Sequence, residues 1–262
     1  MSFFDTHTHL DYLLKFSGES LDRLMANAQT VGVEKILIVA VLAADFKTIE
    51  NLTALYPERL YYGLGLHPLY ITRHSQADLE LLNQALAKRP KACTALGEIG
   101  LERGIPELLA NEFWHKQCEF LEAQLQLAKQ HRLPVNLHSR KAHDQLFTFL
   151  KRIQLPKCGV VHGFAGSYEQ AKRFVDLGYK IGVGGVITYQ RANKTRQAIA
   201  KLPLDSLLLE TDTPDMPVFG FQGEPNRPEH IIETFRFLCE LRKEPPDEII
   251  NVIWRNSCEL FG

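Results

Sequence analysis

Short apolar runs alternate with amphipathic stretches from one end of the chain to the other. The apolar runs are Phe3–His7, Val33–Val39, Leu60–Gly65, Ala92–Glu98, Val135–His138, Gly159–His162, Lys180–Gly184 and Ser206–Glu210. Several are almost wholly apolar or β-branched, as in parallel strands covered on both faces. The amphipathic stretches repeat their apolar residues at helical spacing. The clearest is Asn111–His131, where Phe113, Cys118, Leu121, Leu125 and Ala128 recur and Leu133-Pro134 ends the run. Ser20–Val31, Phe46–Tyr56, Ala77–Lys88, Ala142–Ile153 and Tyr168–Leu177 follow the same rule, and helices over Glu229–Arg242 and Asp247–Leu260 close the chain.

Eight strands alternating with helices predict a single-domain TIM-type (β/α)8 barrel spanning residues 1–262. A doubly wound open sheet is the alternative. The reactive side chains separate the two, because they fall at the ends of strands one, four, five, six and eight. In a barrel those ends converge on one mouth, whereas in an open sheet they spread along an edge and ligands favour one switch point. No repeat, low-complexity tract or linker interrupts the pattern. The longest irregular stretch, Thr213–Pro228, follows the eighth strand, where a barrel would place a substrate-binding loop.

The chemistry begins with His7-Thr8-His9. Alternate side chains of a strand share a face, so the two imidazoles aim together. Glu98, His138 and His162 each end a further strand, and Asp212 follows the eighth. A carboxylate closing an apolar strand is costly unless paired or coordinated. A buried ion pair would explain one such group; five strand ends together predict a divalent-metal site. The expected scheme has His7, His9 and Asp212 on one ion, His138 and His162 on a second, and Glu98 bridging both. Two such ions, roughly 3.5–4 Å apart, lower the pKa of bound water from about 15.7 toward about 7. Glu98 and Asp212 are then the catalytic candidates, with Asp212 accepting the water's proton. Imidazole-rich ligation favours zinc in the purified protein, while magnesium or manganese would support turnover. His74, His115, His131 and His230 lack any partner pattern and read as ordinary loop or helix residues.

Other residues are placed around this set. Arg140 would meet a phosphate oxygen bidentately or form a structural ion pair. His67 closes strand three and reads as a contact to substrate or to a ligand. Glu210 would orient a ligand histidine. Arg191, Lys194 and Arg196 form either a phosphate patch or a solvated helix start. Tyr12, Phe219 and Phe221 in mouth loops could stack on bases, whereas Phe164 reads as packing. Ser167 reads as a helix N-cap, not a nucleophile. No Walker loop, G-x-S-x-G elbow or G-x-G-x-x-G fingerprint is present.

Composition narrows the class. The chain is 45% hydrophobic and 23% charged, an ordinary globular balance. Its net charge of −1 argues against a protein that coats duplexes but leaves room for a local basic patch. Five cysteines without a C-x-x-C pair exclude a zinc ribbon and read as free thiols in a reducing compartment. The N-terminus shows no secretory pattern, and the run Ile36–Ala44 is too short to span a bilayer. A cytoplasmic monomer without membrane contact is expected.

The blocks Phe4-Asp5-Thr6-His7-Thr8-His9-Leu10, Gly65-Leu66-His67-Pro68, Gly97-Glu98-Ile99-Gly100-Leu101, Pro134-Val135-Asn136-Leu137-His138-Ser139-Arg140, His162-Gly163-Phe164 and Glu210-Thr211-Asp212-Thr213-Pro214 are specific in their order and spacing. Through them the sequence resembles the TatD-type metal-dependent hydrolases, often called TatD deoxyribonucleases, of the amidohydrolase superfamily. The resemblance covers essentially the whole chain. It implies a (β/α)8 barrel, a divalent-metal site on His7, His9, Glu98, His138, His162 and Asp212, and phosphodiester hydrolysis of DNA, often 3′→5′ on single strands. Nucleic-acid ends or a small phosphoester would then be the partner. The same machinery would serve a small amide or ester, or D-aminoacyl-tRNA. A non-catalytic metal-stabilised binding barrel is a third reading, opposed by the open ligand geometry. One departure stands out: where the family usually continues Gly-Leu with Asp and an aromatic residue, this chain has Glu102-Arg103. That sets the loop's substrate contacts apart from the family pattern but leaves Glu98 in place.

Overall fold

Eight parallel strands lie side by side in chain order: β1 (Phe3–Thr8), β2 (Val33–Val39), β3 (Leu60–Leu64), β4 (Cys93–Glu102), β5 (Val135–Arg140), β6 (Gly159–Val161), β7 (Lys180–Val183) and β8 (Leu207–Leu209). The computed structural model describes all 262 residues. The first and last strands meet through a parallel bridge between Thr8 and Thr213. Asp212 N–H donates to His7 O at 3.0 Å and His9 N–H to Thr213 O at 2.6 Å. The sheet therefore curls into a nearly closed barrel, and the open-sheet alternative is excluded.

Ten helices wrap it: α1 (Leu10–Ser17), α2 (Leu21–Thr30), α3 (Phe46–Leu55), α4 (Gln76–Ala87), α5 (Asn111–His131), α6 (His143–Ile153), α7 (Tyr168–Asp176), α8 (Asn193–Lys201), α9 (Ile231–Leu241) and α10 (Pro246–Phe261). Two, α1 and α8, lie outside the helical stretches read from the sequence. They have eight and nine residues, shorter than the window over which helical periodicity declares itself. Ser167 does cap α7: its Oγ accepts from Gln170 N–H at 3.2 Å, and the Gln170 side chain returns to Ser167 N–H at 3.1 Å.

Outward strand positions such as Ile36, Ile38, Leu137 and Ile181 pack on the helices in one continuous apolar shell. A second, smaller cluster fills the barrel interior. Phe4 joins Leu37 and Val39 of β2, Ala95 of β4, Val160 of β6 and Leu208 of β8, with Phe261 at the end of α10. Alternate strands contributing one interior layer is the packing expected of this barrel. Below is this dry layer; above it the same inward faces carry polar groups, and there the site forms.

Candidate metal centre

The strand-end groups converge on one mouth. His7 is fully buried on β1, and its Nδ1–H donates to Asn136 Oδ1 at 2.8 Å. The Asn136 amide donates in turn to Thr6 O at 3.0 Å, which settles which way the amide points. His9 Nδ1–H donates to Val39 O at 3.0 Å. With these protons committed, neutral rings present their Nε2 lone pairs to one another at 3.4 Å. Glu98 Oε2 lies 3.4 Å from His7 Nε2 and 3.2 Å from His9 Nε2. Asp212 Oδ1 lies 3.4 and 3.7 Å from the same two atoms. Donors sharing one tetrahedral ion at about 2.1 Å would stand about 3.4 Å apart, so the spacing suits a cation at their centre.

The other Glu98 oxygen faces a second group. Its Oε1 is 2.7 Å from His162 Nε2, 2.9 Å from His67 Nε2 and 3.0 Å from His138 Nδ1. His138 Nε2–H donates to Glu102 Oε2 at 3.0 Å, which turns the Nδ1 lone pair inward. His67 differs. Its Nδ1 accepts Leu69 N–H at 2.9 Å, so its Nε2–H donates to Glu98 and holds that carboxylate in place. Glu210 Oε1 accepts from Gly163 N–H and faces His162 Nδ1 across 3.9 Å, too far for a hydrogen bond. Gly182 makes room for Glu210, since a Cβ there would come within 2.7 Å of the Glu210 carboxyl carbon.

Buried Glu98 Oε2 has no hydrogen-bond partner, and neither does His162 Nδ1. Lone pairs facing lone pairs in a dry site repel unless something positive lies between them. A divalent cation satisfies that demand, and so would a proton. Burial opposes charge on His7, yet Glu98, with Asp212 and Glu210, outweighs it and pushes its pKa up to about 10. His138 goes up to about 9 against its burial, through Glu102 and Glu98. Burial takes His162 down to about 3, with His7 adding to the effect, and His67 down to about 4. Burial works against the Glu98 carboxylate, but His67, His162 and His7 hold it well below the usual range. Asp212 is pushed up to about 6 by burial, despite His7 and His9.

The donor atoms that gather closely enough to hold an ion are those of His7, His9 and Asp212, of His7, Glu98 and His162, and of His67, Glu98 and His138. All six expected ligands are thus in one cluster. Asp212 sits at φ 61°, in the left-handed region that Asp tolerates, where the chain turns out of β8. Arg140 is exposed, lies over Gly104 near Glu102, and has no carboxylate within 4.0 Å. Arg191 and Lys194 stay at the rim, whereas Arg196 bonds Ile187 O and stacks on Phe237. Phe164 packs inside against His143, as its reading had it.

Sequence reasoning missed Asn136 and Glu102. Both were signalled by parity: Asn136 precedes His138 by two, and Glu102 follows Glu98 by four, so each shares its ligand's face. Glu102 escaped because the fourth strand was ended at Glu98, four residues short of where β4 stops. The residue that departs from the family pattern is the one that fixes His138.

A parallel eight-stranded barrel with imidazoles and carboxylates gathered at the C-terminal ends of its strands is the architecture of a metal-dependent hydrolase. The chain belongs to the TatD family: the profile of TatD related DNases matches residues 4–262. It is 69% identical over 262 residues to a metal-dependent hydrolase of Haemophilus influenzae, with all of both chains aligned. It is 53% identical over 261 residues to the metal-dependent hydrolase YjjV of Escherichia coli K12, covering 99% of this chain and 98% of that one. The crystal structure of YjjV, a TatD homolog, superposes with a TM-score of 0.93 at 51% identity over 99% and 97% of the two chains. A TatD family hydrolase from Entamoeba histolytica shares the fold at 22% identity, with a TM-score of 0.82 over 100% and 98% of the chains. No helix is long and apolar enough to cross a membrane.

Proposed function

We propose that this TatD-family hydrolase cleaves phosphodiester bonds at the ends of single-stranded DNA, working 3′→5′, with two divalent cations held by residues of one barrel spanning 1–262. The observation that carries the reading is the split of Glu98, whose two oxygens each face a separate group of lone-pair donors. On this reading His7, His9 and Asp212 hold one ion, His138 and His162 the other, and Glu98 both. Zinc suits the imidazole-rich set in the purified protein; magnesium or manganese would serve turnover. When bound, the ions ease deprotonation of a water and draw off the charge that builds on the phosphoryl oxygens.

The chain's own residues do the remainder. Asn136 and Val39 O fix the rings of His7 and His9, and Glu102 fixes that of His138. Asp212 Oδ1, 3.4 Å from His7 Nε2 and 3.7 Å from His9 Nε2, is placed to accept a proton from a water activated at the centre. A groove of about 210 Å³ opens beside His9 and His67, walled by Tyr12, Phe16, Leu69 and Tyr70. Flat rings there suit a nucleobase, each stack contributing roughly 1–3 kcal/mol. The groove's small size also favours a second reading, hydrolysis of a small phosphoester. Five unpaired cysteines agree with a reducing, cytoplasmic setting.

The test incubates end-labelled single strands with wild type and with Asp212→Asn, each supplied with zinc, magnesium or manganese. Stepwise shortening from the 3′ end by wild type, lost in the variant, is the expected result. Equal cleavage by both overturns the role of Asp212. Hydrolysis of small phosphoesters, amides or D-aminoacyl-tRNA but not of oligonucleotides overturns the nuclease reading.

A further inference from the structure

A cleft of about 550 Å³ opens on the mouth rim next to the His138 side of the centre. Arg103, Lys141, Arg191 and Lys194 line it, all exposed and none within 4.0 Å of a carboxylate. Its one acidic lining residue, Asp144, is held by Arg173 at 2.7 Å. In a chain whose net charge is −1, four unpaired cations around one concavity form a local positive field. Nine of the chain's 30 lysines and arginines pair with a carboxylate, among them Arg227 with Glu19, Arg242 with Glu244 and Arg152 with Glu122; the four at the cleft do not.

The cleft is also rigidly framed. Ser139 Oγ–H donates to His143 Nδ1 at 2.7 Å, and His143 Nε2–H donates to Ala165 O at 3.1 Å. This chain ties the segment after β5 to the segment after β6. Arg103 lies over the Trp114 ring and Arg191 over the Tyr189 ring, which limits their swing. Helices α6 and α8 both begin at the cleft, at His143 and Asn193, and neither has a side-chain N-cap. Their free N–H groups add to the positive character that the four side chains establish.

The cleft adjoins the centre through the chain itself. Lys141 is three residues beyond His138, and Arg103 follows Glu102, which bonds His138. We propose that this cleft binds the backbone phosphates of a single nucleic-acid strand as it leads away from the reacting end. The proposal rests on the nuclease reading for its ligand, and its binding test is separate from hydrolysis. Phosphates would be held by charge without base readout, so the strand's sequence would matter little.

The test measures fluorescence anisotropy of a labelled thymidine decamer with phosphorothioate linkages, which resists cleavage, against the full-length metal-loaded protein over a salt series. Single-strand contacts steepen the log–log salt slope by roughly 0.7 each. Arg191→Gln/Lys194→Gln should therefore flatten the slope by about 1.4 and weaken binding roughly ten- to a hundredfold at low salt. Arg103→Gln/Lys141→Gln should do the same independently, should the first pair fold poorly. Lys91→Gln/Lys157→Gln, in a basic hollow beside Phe261 at the opposite end of the barrel, should leave the slope unchanged. A decamer with an uncharged methylphosphonate backbone should lose binding to wild type. Wild-type slope and affinity in both cleft variants overturn the proposal, as does equal binding of the uncharged decamer. Cleavage of an ordinary decamer is assayed apart: cleft-dependent binding without cleavage overturns the nuclease reading alone.

Discussion

Replacing Asn136 by Leu tests whether the ring of His7 is held for coordination. Asn136 is fully buried, and its amide makes two bonds, accepting from His7 Nδ1–H and donating to Thr6 O. Leucine keeps the volume and removes both. Each buried group left unpaired costs about 1–3 kcal/mol. His7 escapes part of that penalty by moving its proton to Nε2, but then its lone pair no longer faces Glu98 and Asp212. Either route weakens cation binding, and the loss of such an orienting partner typically costs about 10–100-fold in affinity. The assay is competition with a chromophoric chelator, followed by melting with and without metal. At a metal concentration about 1,000 times the wild-type Kd, binding stabilises the fold by about 4.1 kcal/mol; a hundredfold weaker site leaves about 1.4 kcal/mol. Asn136→Asp keeps an acceptor opposite His7 and should retain more affinity than Leu. Wild-type affinity in a folded Asn136→Leu protein, or an equal loss in both variants, would refute the reasoning.

Three further outcomes follow from the same geometry. Glu98→Gln replaces one carboxylate oxygen among the histidines with an N–H donor; elemental analysis should show metal content falling to half or less, with hydrolysis down about 10²–10³-fold. Metal uptake at pH 7 should release protons, because His7 and His138, at about 10 and 9, are charged in the metal-free protein and must become neutral to coordinate. Affinity should accordingly rise with pH until those values are passed, while His162 and His67, at about 3 and 4, contribute nothing to the rise. Calorimetry in buffers of different ionisation enthalpy reads the proton count, and a pH-independent affinity would contradict it. Gly182→Ala drives a methyl into the Glu210 carboxyl and should destabilise the fold by about 1–3 kcal/mol in urea unfolding, with a lesion centred on His162.

Much of this molecule was legible in one dimension. Alternating apolar and amphipathic runs determined eight β/α units, because parallel strands buried on both faces and helices with one apolar face have different periods; the reactive residues at the strand ends favoured a barrel over an open sheet. The identities and strand-end positions of His7, His9, Glu98, His138, His162 and Asp212 were equally readable, since a strand puts its last residues at a mouth whatever its neighbours do. Tertiary structure decided the partners. That Asn136 of β5 reaches His7 of β1 across the barrel, that Glu102 turns His138, and that His67 spends its proton on Glu98 depend on which strands lie side by side, which face each other, and the depth to which each inserts. The basic cleft arises partly the same way: Arg191 and Lys194 were legible as a candidate patch, but Arg103 and Lys141 join them only where the loops after β4, β5 and β7 meet. Periodicity is a property of each segment by itself, whereas a hydrogen bond or a charged concavity belongs to pairs of segments, and only closure of the barrel brings those pairs together.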